Sequence, residues 1–125
     1  MKKIDIYCKK CNHKFTKEPI TEMDKDKLNN KDGEELLPLG CFTINTNFLF
    51  DMEISYLINT DSVLLHNHED SERYSGCCGP SEMSKYNQVC PNCNEEVGVE
   101  ILDCWLPHFI GISKEKTRIK TIFTN

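Results

Sequence analysis

Two matching cysteine turns constrain this chain more than any other feature of its sequence. "YCKKCN" at residues 7–12 and "VCPNCN" at residues 89–94 each place two cysteines three positions apart. This spacing lets both thiolates of a tight turn face one ion, while turn amides donate hydrogen bonds to the sulfurs. An asparagine follows each turn, and asparagine tolerates the left-handed backbone conformation that glycine often supplies there. The sequence therefore predicts one tetrahedral Zn²⁺ site with four ligands, Cys8, Cys11, Cys90 and Cys93.

The two turns and the strands beside them resemble a zinc ribbon, but the insert is far longer than in the usual ribbon. Between Cys11 and Cys90 lie 78 residues. Closing a loop of this length costs on the order of 4–5 kcal/mol of chain entropy. Structural zinc supplies on the order of 10 kcal/mol or more in small domains. We therefore expect the metal to tie the first strand to the last third of the chain. A redox role of the thioredoxin type would need one such motif, so the matched pair disfavours it.

The apolar pattern predicts a mainly β or α+β fold in a single domain, residues 1–125. Apolar residues fall on even positions from Phe42 to Ile58, which predicts two strands broken near 45–47. "KIDIY", "VGVEIL", "HFIGI" and "RIKTIF" predict further strands. Residues 16–39 are charged and contain Pro, Gly and Asn breakers, so we expect a charged loop insert or a short helix near residues 20–28. Trp105, the only tryptophan, is expected to anchor the core.

The eight cysteines need a chemical explanation, because no signal peptide is visible. "MKKIDIY" begins basic, but no apolar run of signal-peptide or membrane-span length follows. We therefore expect a cytoplasmic protein that does not enter a membrane. In that compartment thiols stay reduced, which favours metal binding or catalysis over disulfides.

The net charge of −5 is unevenly distributed. Residues 1–17 carry +5, residues 18–112 carry −13 and residues 113–125 carry +3. The acidic middle repels phosphate backbones, so general nucleic-acid binding is disfavoured. The basic ends make a local basic patch only if folding brings them together. Dispersed charges that serve solubility are the alternative.

A second cluster of reactive residues is predicted from "SGCCGP" at 75–80 and "DCWLPH" at 103–108. Three interpretations remain open. Cys77 or Cys78 could join Cys104 and His108 in a second metal site. A thiol could instead act as a nucleophile activated by His108, with Asp103 orienting that histidine. In the third interpretation these residues only fill a tight turn.

Residues 76–109 resemble a group of small, uncharacterised bacterial proteins. These proteins pair a Gly-Cys-Cys-Gly loop with a zinc knuckle, then Val-Gly, then Asp-Cys-Trp-x-Pro-His. The resemblance covers about a quarter of the chain, together with a looser N-terminal C-x-x-C. It implies no particular reaction.

The combined features favour a non-enzymatic, zinc-stabilised protein-binding module. Its most specific version is an immunity or antitoxin-like protein whose acidic middle covers a basic partner. The first alternative is a cysteine- or metal-dependent enzyme that uses the Cys77/Cys78–Cys104–His108 cluster. The second is a nucleic-acid-binding zinc ribbon that uses the basic ends. An open metal position would favour the enzyme, and a closed four-cysteine site would favour the binding module.

Overall fold

A single mixed β-sheet dominates the computed structural model, which describes residues 2–45, 53–70, 85–102 and 104–123. Of the two predicted fold classes, mainly β and α+β, the structure has the first, since these residues contain nine strands and no α-helix. The strands are β1 (Lys3–Cys8), β2 (Ile20–Glu22), β3 (Cys41–Ile44), β4 (Tyr56–Ile58), β5 (His66–Asn67), β6 (Gln88–Val89), β7 (Glu96–Ile101), β8 (Phe109–Ile112) and β9 (Thr117–Phe123).

The order of the strands brings distant parts of the chain together. The sheet runs β5-β6-β7-β8-β4-β3-β2-β1-β9. Only β2 and β3 pair in parallel, and the other neighbours are antiparallel. β1 lies between β2 and β9, with Ile6 directly opposite Ile119. The two basic segments of the chain therefore lie side by side.

The sheet curls around its larger core cluster. β1 and β7 are far apart in the strand order, yet Ile4 and Ile6 of β1 share one buried cluster with Val97 of β7. Each fully buried aliphatic side chain stabilises the fold by roughly 1.5–3 kcal/mol. Strands β7 and β8 approach closely where two glycines meet, because a Cβ at Gly98 would lie 2.6 Å from the Gly111 carbonyl oxygen.

Residues 16–39 differ from the prediction. In place of the charged loop or short helix expected near residues 20–28, the structure has β2 and a short 3₁₀ turn, Lys25–Lys27, capped by Asp24. Ile20 is buried, and β2 bonds to strands on both sides, so sheet pairing overrides the weak helical tendency. Leu36 and Leu37 enter a second core cluster, so part of this segment is core rather than surface loop.

Trp105 does not anchor the core, and that prediction is wrong. Its side chain is 71% exposed. Leu106 takes the apolar position beside the second core cluster, and its carbonyl accepts a hydrogen bond from the Gly33 amide at 2.9 Å. Leu106 thus packs against the core at this turn, while the neighbouring indole is exposed. Across the described part of the chain, no helix has the length and apolar character of a membrane span.

Candidate metal centre

The two cysteine turns have the same backbone hydrogen bonds. The Cys8 amide donates to the His13 carbonyl at 2.8 Å, and the Cys90 amide donates to the Glu95 carbonyl at 2.9 Å. In each turn the amide after the second cysteine donates back to the first cysteine's carbonyl, at 2.8 Å and 2.9 Å. The donors of these bonds are Asn12, with φ of 70°, and Asn94, with φ of 63°. The predicted left-handed asparagines are therefore confirmed in both turns.

The curl of the sheet brings the two turns into contact. Cys8 ends β1, while the second turn connects β6 to β7. The Sγ atoms of Cys8 and Cys93 are 3.6 Å apart, as are those of Cys11 and Cys90. All four sulfurs lie within 4.8 Å of one another. The structure thus brings together all four predicted ligands in an arrangement that can bind a metal ion.

The surroundings of these sulfurs affect their protonation unequally. Hydrogen bonding by the Asn92 side chain lowers the pKa of the Cys11 thiol from 9.0 to about 6. Burial raises the pKa of Cys90 from 9.0 to about 12, and burial also raises the pKa of Cys93. Burial thus opposes negative charge on two of the thiols. A bound cation would favour all four thiolates at once.

Charged side chains connect the two turns at the surface. Glu95, just after the second turn, lies 3.4 Å from Lys10 in the first turn and 3.4 Å from Lys116 near the start of β9. These lysines lower the pKa of the Glu95 carboxyl against the opposing effect of its burial. Exposed ion pairs of this kind stabilise by about 0–1 kcal/mol. They therefore orient the turns, while the sulfur cluster joins them.

No family model, curated protein or solved structure matches this chain. The geometry of the molecule is therefore the basis for the function proposed below.

The predicted second cluster is only partly within the described residues. Cys77, Cys78 and Asp103 lie outside them. Cys104 is disulfide-bonded, so in this form it has no thiolate for a metal or a substrate. His108 forms a backbone bridge with Glu35 and does not join the sulfur cluster. The expectation of reduced thiols therefore differs from the structure at Cys104.

A group of carboxylates is the feature that sequence reasoning missed. Burial raises the pKa of Glu100 most, followed by the negative charges of Glu35 and Asp61, while His108 opposes the shift. Glu35 is held by Thr60, whose hydroxyl donates to it at 2.7 Å. These acids come from three separate segments, so no sequence spacing could have revealed that they converge.

Proposed function

We propose that this protein is a zinc-stabilised protein-binding module rather than an enzyme. The observation that supports this most is the cluster of four sulfurs, because four thiolates complete the coordination shell of tetrahedral zinc. A catalytic zinc keeps one position for water or substrate, and a four-cysteine site offers none. The cluster is suited to holding the fold together.

The sulfur spacing fits zinc. Zinc–sulfur bonds of about 2.3 Å in a tetrahedron place the sulfurs roughly 3.8 Å apart. Two of the sulfur pairs here, Cys8 with Cys93 and Cys11 with Cys90, are each 3.6 Å apart. Zinc bound by Cys8, Cys11, Cys90 and Cys93 would cross-link the two ends of the curled sheet. The zinc-ribbon resemblance is part of this proposal, with β2 to β5 as the insert.

The proposed protein-binding surface is the turn that carries Trp105. Exposed tryptophans are frequent energetic centres of protein interfaces. The Gly33 amide donates a hydrogen bond to the Leu106 carbonyl in this turn, and its chain neighbours Asp32 and Glu34 are exposed acids. The raised pKa of Glu100 reflects burial first and then nearby negative charges. The surface thus combines an aromatic side chain with acidic surroundings.

A basic protein is the partner that suits this surface. Complementary charge speeds encounter and makes binding sensitive to salt. The most specific form of the proposal is an immunity or antitoxin-like role, in which this surface covers a basic toxin. The enzyme alternative depends on Cys77 and Cys78, and the described residues add no support for it.

The test is capture of partners from the native host at low and high salt. The bait proteins are the zinc-loaded wild type, Trp105→Ala and a control, Leu64→Ala. Leu64 is also an apolar residue with an exposed side chain, 48% exposed, but it follows the turn at residues 60–62 and not the turn that carries Trp105. We expect a basic protein that the wild type and the Leu64 variant recover at low salt and that Trp105→Ala loses. Recovery of no basic protein, or binding indifferent to salt, would contradict the proposal.

A further inference from the structure

Strands β1 and β9 together present one basic sheet face. In β1, Ile4 and Ile6 are buried in the core. Side chains alternate along a strand, so Tyr7 belongs to the opposite face. Arg118 of β9 lies directly opposite Tyr7 and therefore shares that face. Lys120, two residues further along β9, lies on it too, and both cations are exposed.

An aromatic ring lies between cations on this face. Tyr7 forms a bridge with Lys14 on one side and pairs with Arg118 on the other. The one acid of this face, Asp5, is only 4% exposed. Its carboxylate accepts the Thr16 hydroxyl at 2.6 Å and lies 3.4 Å from the Lys14 ammonium. Its charge is therefore largely compensated within the protein.

The cations continue toward the metal centre. Lys9 donates its amide to the Lys116 carbonyl at 3.2 Å, which joins the first cysteine turn to the start of β9. Beside this contact is an open cavity of about 380 Å³, lined by Lys9, Lys10, Glu95, Glu115 and Lys116. Lysines outnumber the acids in this lining. The basic character thus extends from the outer face of β9 to the sulfur cluster.

We infer that the β1–β9 face binds single-stranded nucleic acid. Proteins that hold single strands combine a basic track for phosphates with aromatic rings on which bases stack. Here Arg118 and Lys120 supply the basic track. They are two residues apart on one strand, which separates them by roughly 6.7 Å along the strand. Tyr7 supplies the stacking ring.

This inference goes beyond the proposed function, because it concerns a surface of opposite charge and a different ligand. The acidic remainder of the chain repels nucleic acid at longer range. Binding is therefore confined to this face, and salt weakens it steeply. An acidic polypeptide would also be attracted by the cations, but it would gain no base stacking on Tyr7.

The test is fluorescence anisotropy with labelled 15-nucleotide oligo(dT) and oligo(U), using the zinc-loaded full chain over a range of salt. The double variant Arg118→Gln/Lys120→Gln removes two phosphate contacts. We expect its slope of log affinity against log salt to fall by about 1.4, twice the single-strand value of about 0.7 per contact. The control is Lys27→Gln/Lys31→Gln, which makes the same charge change at a different part of the surface and should leave the slope unchanged.

Stacking is tested separately at Tyr7. Tyr7→Leu should weaken binding at least about fivefold, and Tyr7→Phe should retain it, because the phenyl ring still stacks. If Tyr7→Leu lowers the melting temperature or the zinc content, the inference is judged on Tyr7→Phe and on Arg118→Gln/Lys120→Gln instead. Three results would overturn the inference: no binding at low salt, equal weakening by the control pair, or competition by polyglutamate as effective as that by unlabelled oligonucleotide.

Discussion

Replacing Cys90 with serine tests whether the four sulfurs act as one metal site. Cys90 is fully buried, and its sulfur lies 3.6 Å from that of Cys11. Serine keeps the size of the side chain but removes the thiolate that zinc prefers. We expect Cys90→Ser to lose the metal and to unfold at a much lower temperature.

The size of the effect follows from the loop that the metal closes. A cross-link between Cys11 and Cys90 spans 78 intervening residues. In the chain-entropy model, such a link stabilises the folded state by about 4.5 kcal/mol. For a domain of this size, 1 kcal/mol corresponds to roughly 4 °C in melting temperature. The variant should therefore melt at least about 15 °C below the wild type.

The assay combines elemental analysis with calorimetry on protein purified without added metal. The matched control is Cys41→Ser, because Cys41 is a partly buried free cysteine outside the sulfur cluster. Its pKa is raised by burial alone. We expect this control to keep one zinc per chain. Its free energy of unfolding should fall by only about 1 kcal/mol, which is within the range of ordinary point substitutions.

A double variant distinguishes one site from independent core thiols. If Cys8→Ser and Cys90→Ser each release the same ion, their combined destabilisation will be much smaller than the sum of the two. Additive effects would refute the reasoning. So would a metal-free wild type that melts as high as the metal-loaded protein, or equal destabilisation by Cys41→Ser and Cys90→Ser.

Three further predictions concern protonation, packing and thiol chemistry. Burial, and after it the negative charges of Glu35 and Asp61, raises the pKa of the Glu100 carboxyl above its ordinary 4.5. Ionising this carboxyl therefore costs folding free energy, and that stability is lost as the pH rises from 4.5 through the folded-state pKa. Glu100→Gln should therefore raise the melting temperature at pH 7 and give no gain below about pH 4, measured by thermal scans at both. Gly98→Ala should lower the free energy of unfolding by roughly 1–3 kcal/mol, because the added Cβ would lie 2.6 Å from a backbone oxygen. Urea titration measures this, and an unchanged unfolding midpoint would refute it. Because Cys104 is disulfide-bonded, thiol titration of denatured, metal-free protein should find two fewer thiols before reduction than the eight found after it. Equal thiol counts before and after reduction would contradict the bond.

The local features of this protein were predictable because their causes are local. The asparagine after each C-x-x-C pair is left-handed, and the turn hydrogen bonds follow from the same six residues. The alternation from Phe42 to Ile58 correctly predicted β3 and β4 as separate strands. Period-2 alternation reports which side of a strand is apolar, and the buried apolar residues of this stretch, Phe42, Ile54 and Ile58, all lie at even positions.

The remaining features depend on long-range pairing, which no local pattern specifies. Nothing near Ile20 shows that β3 will lie beside its strand in parallel, so the sequence predicts a charged loop or a short helix there. The size of Trp105 predicts a place in the core, whereas in the structure Leu106 packs against the core and Trp105 is exposed. The carboxylates around Glu100 meet only after the sheet has formed.

The pairing of β1 with β9 has a consequence for the order of events during synthesis. Residues 3–8 are made well before their partners in the sheet, residues 117–123. The second cysteine turn follows 78 residues after the first, so until it is made Cys8 and Cys11 have neither their sulfur partners nor a complete sheet. Contacts of such high sequence separation form slowly. The nascent chain therefore exposes a β-edge and two thiols to solvent until these later segments have been made, an interval in which zinc supply and chaperones affect the yield of folded protein.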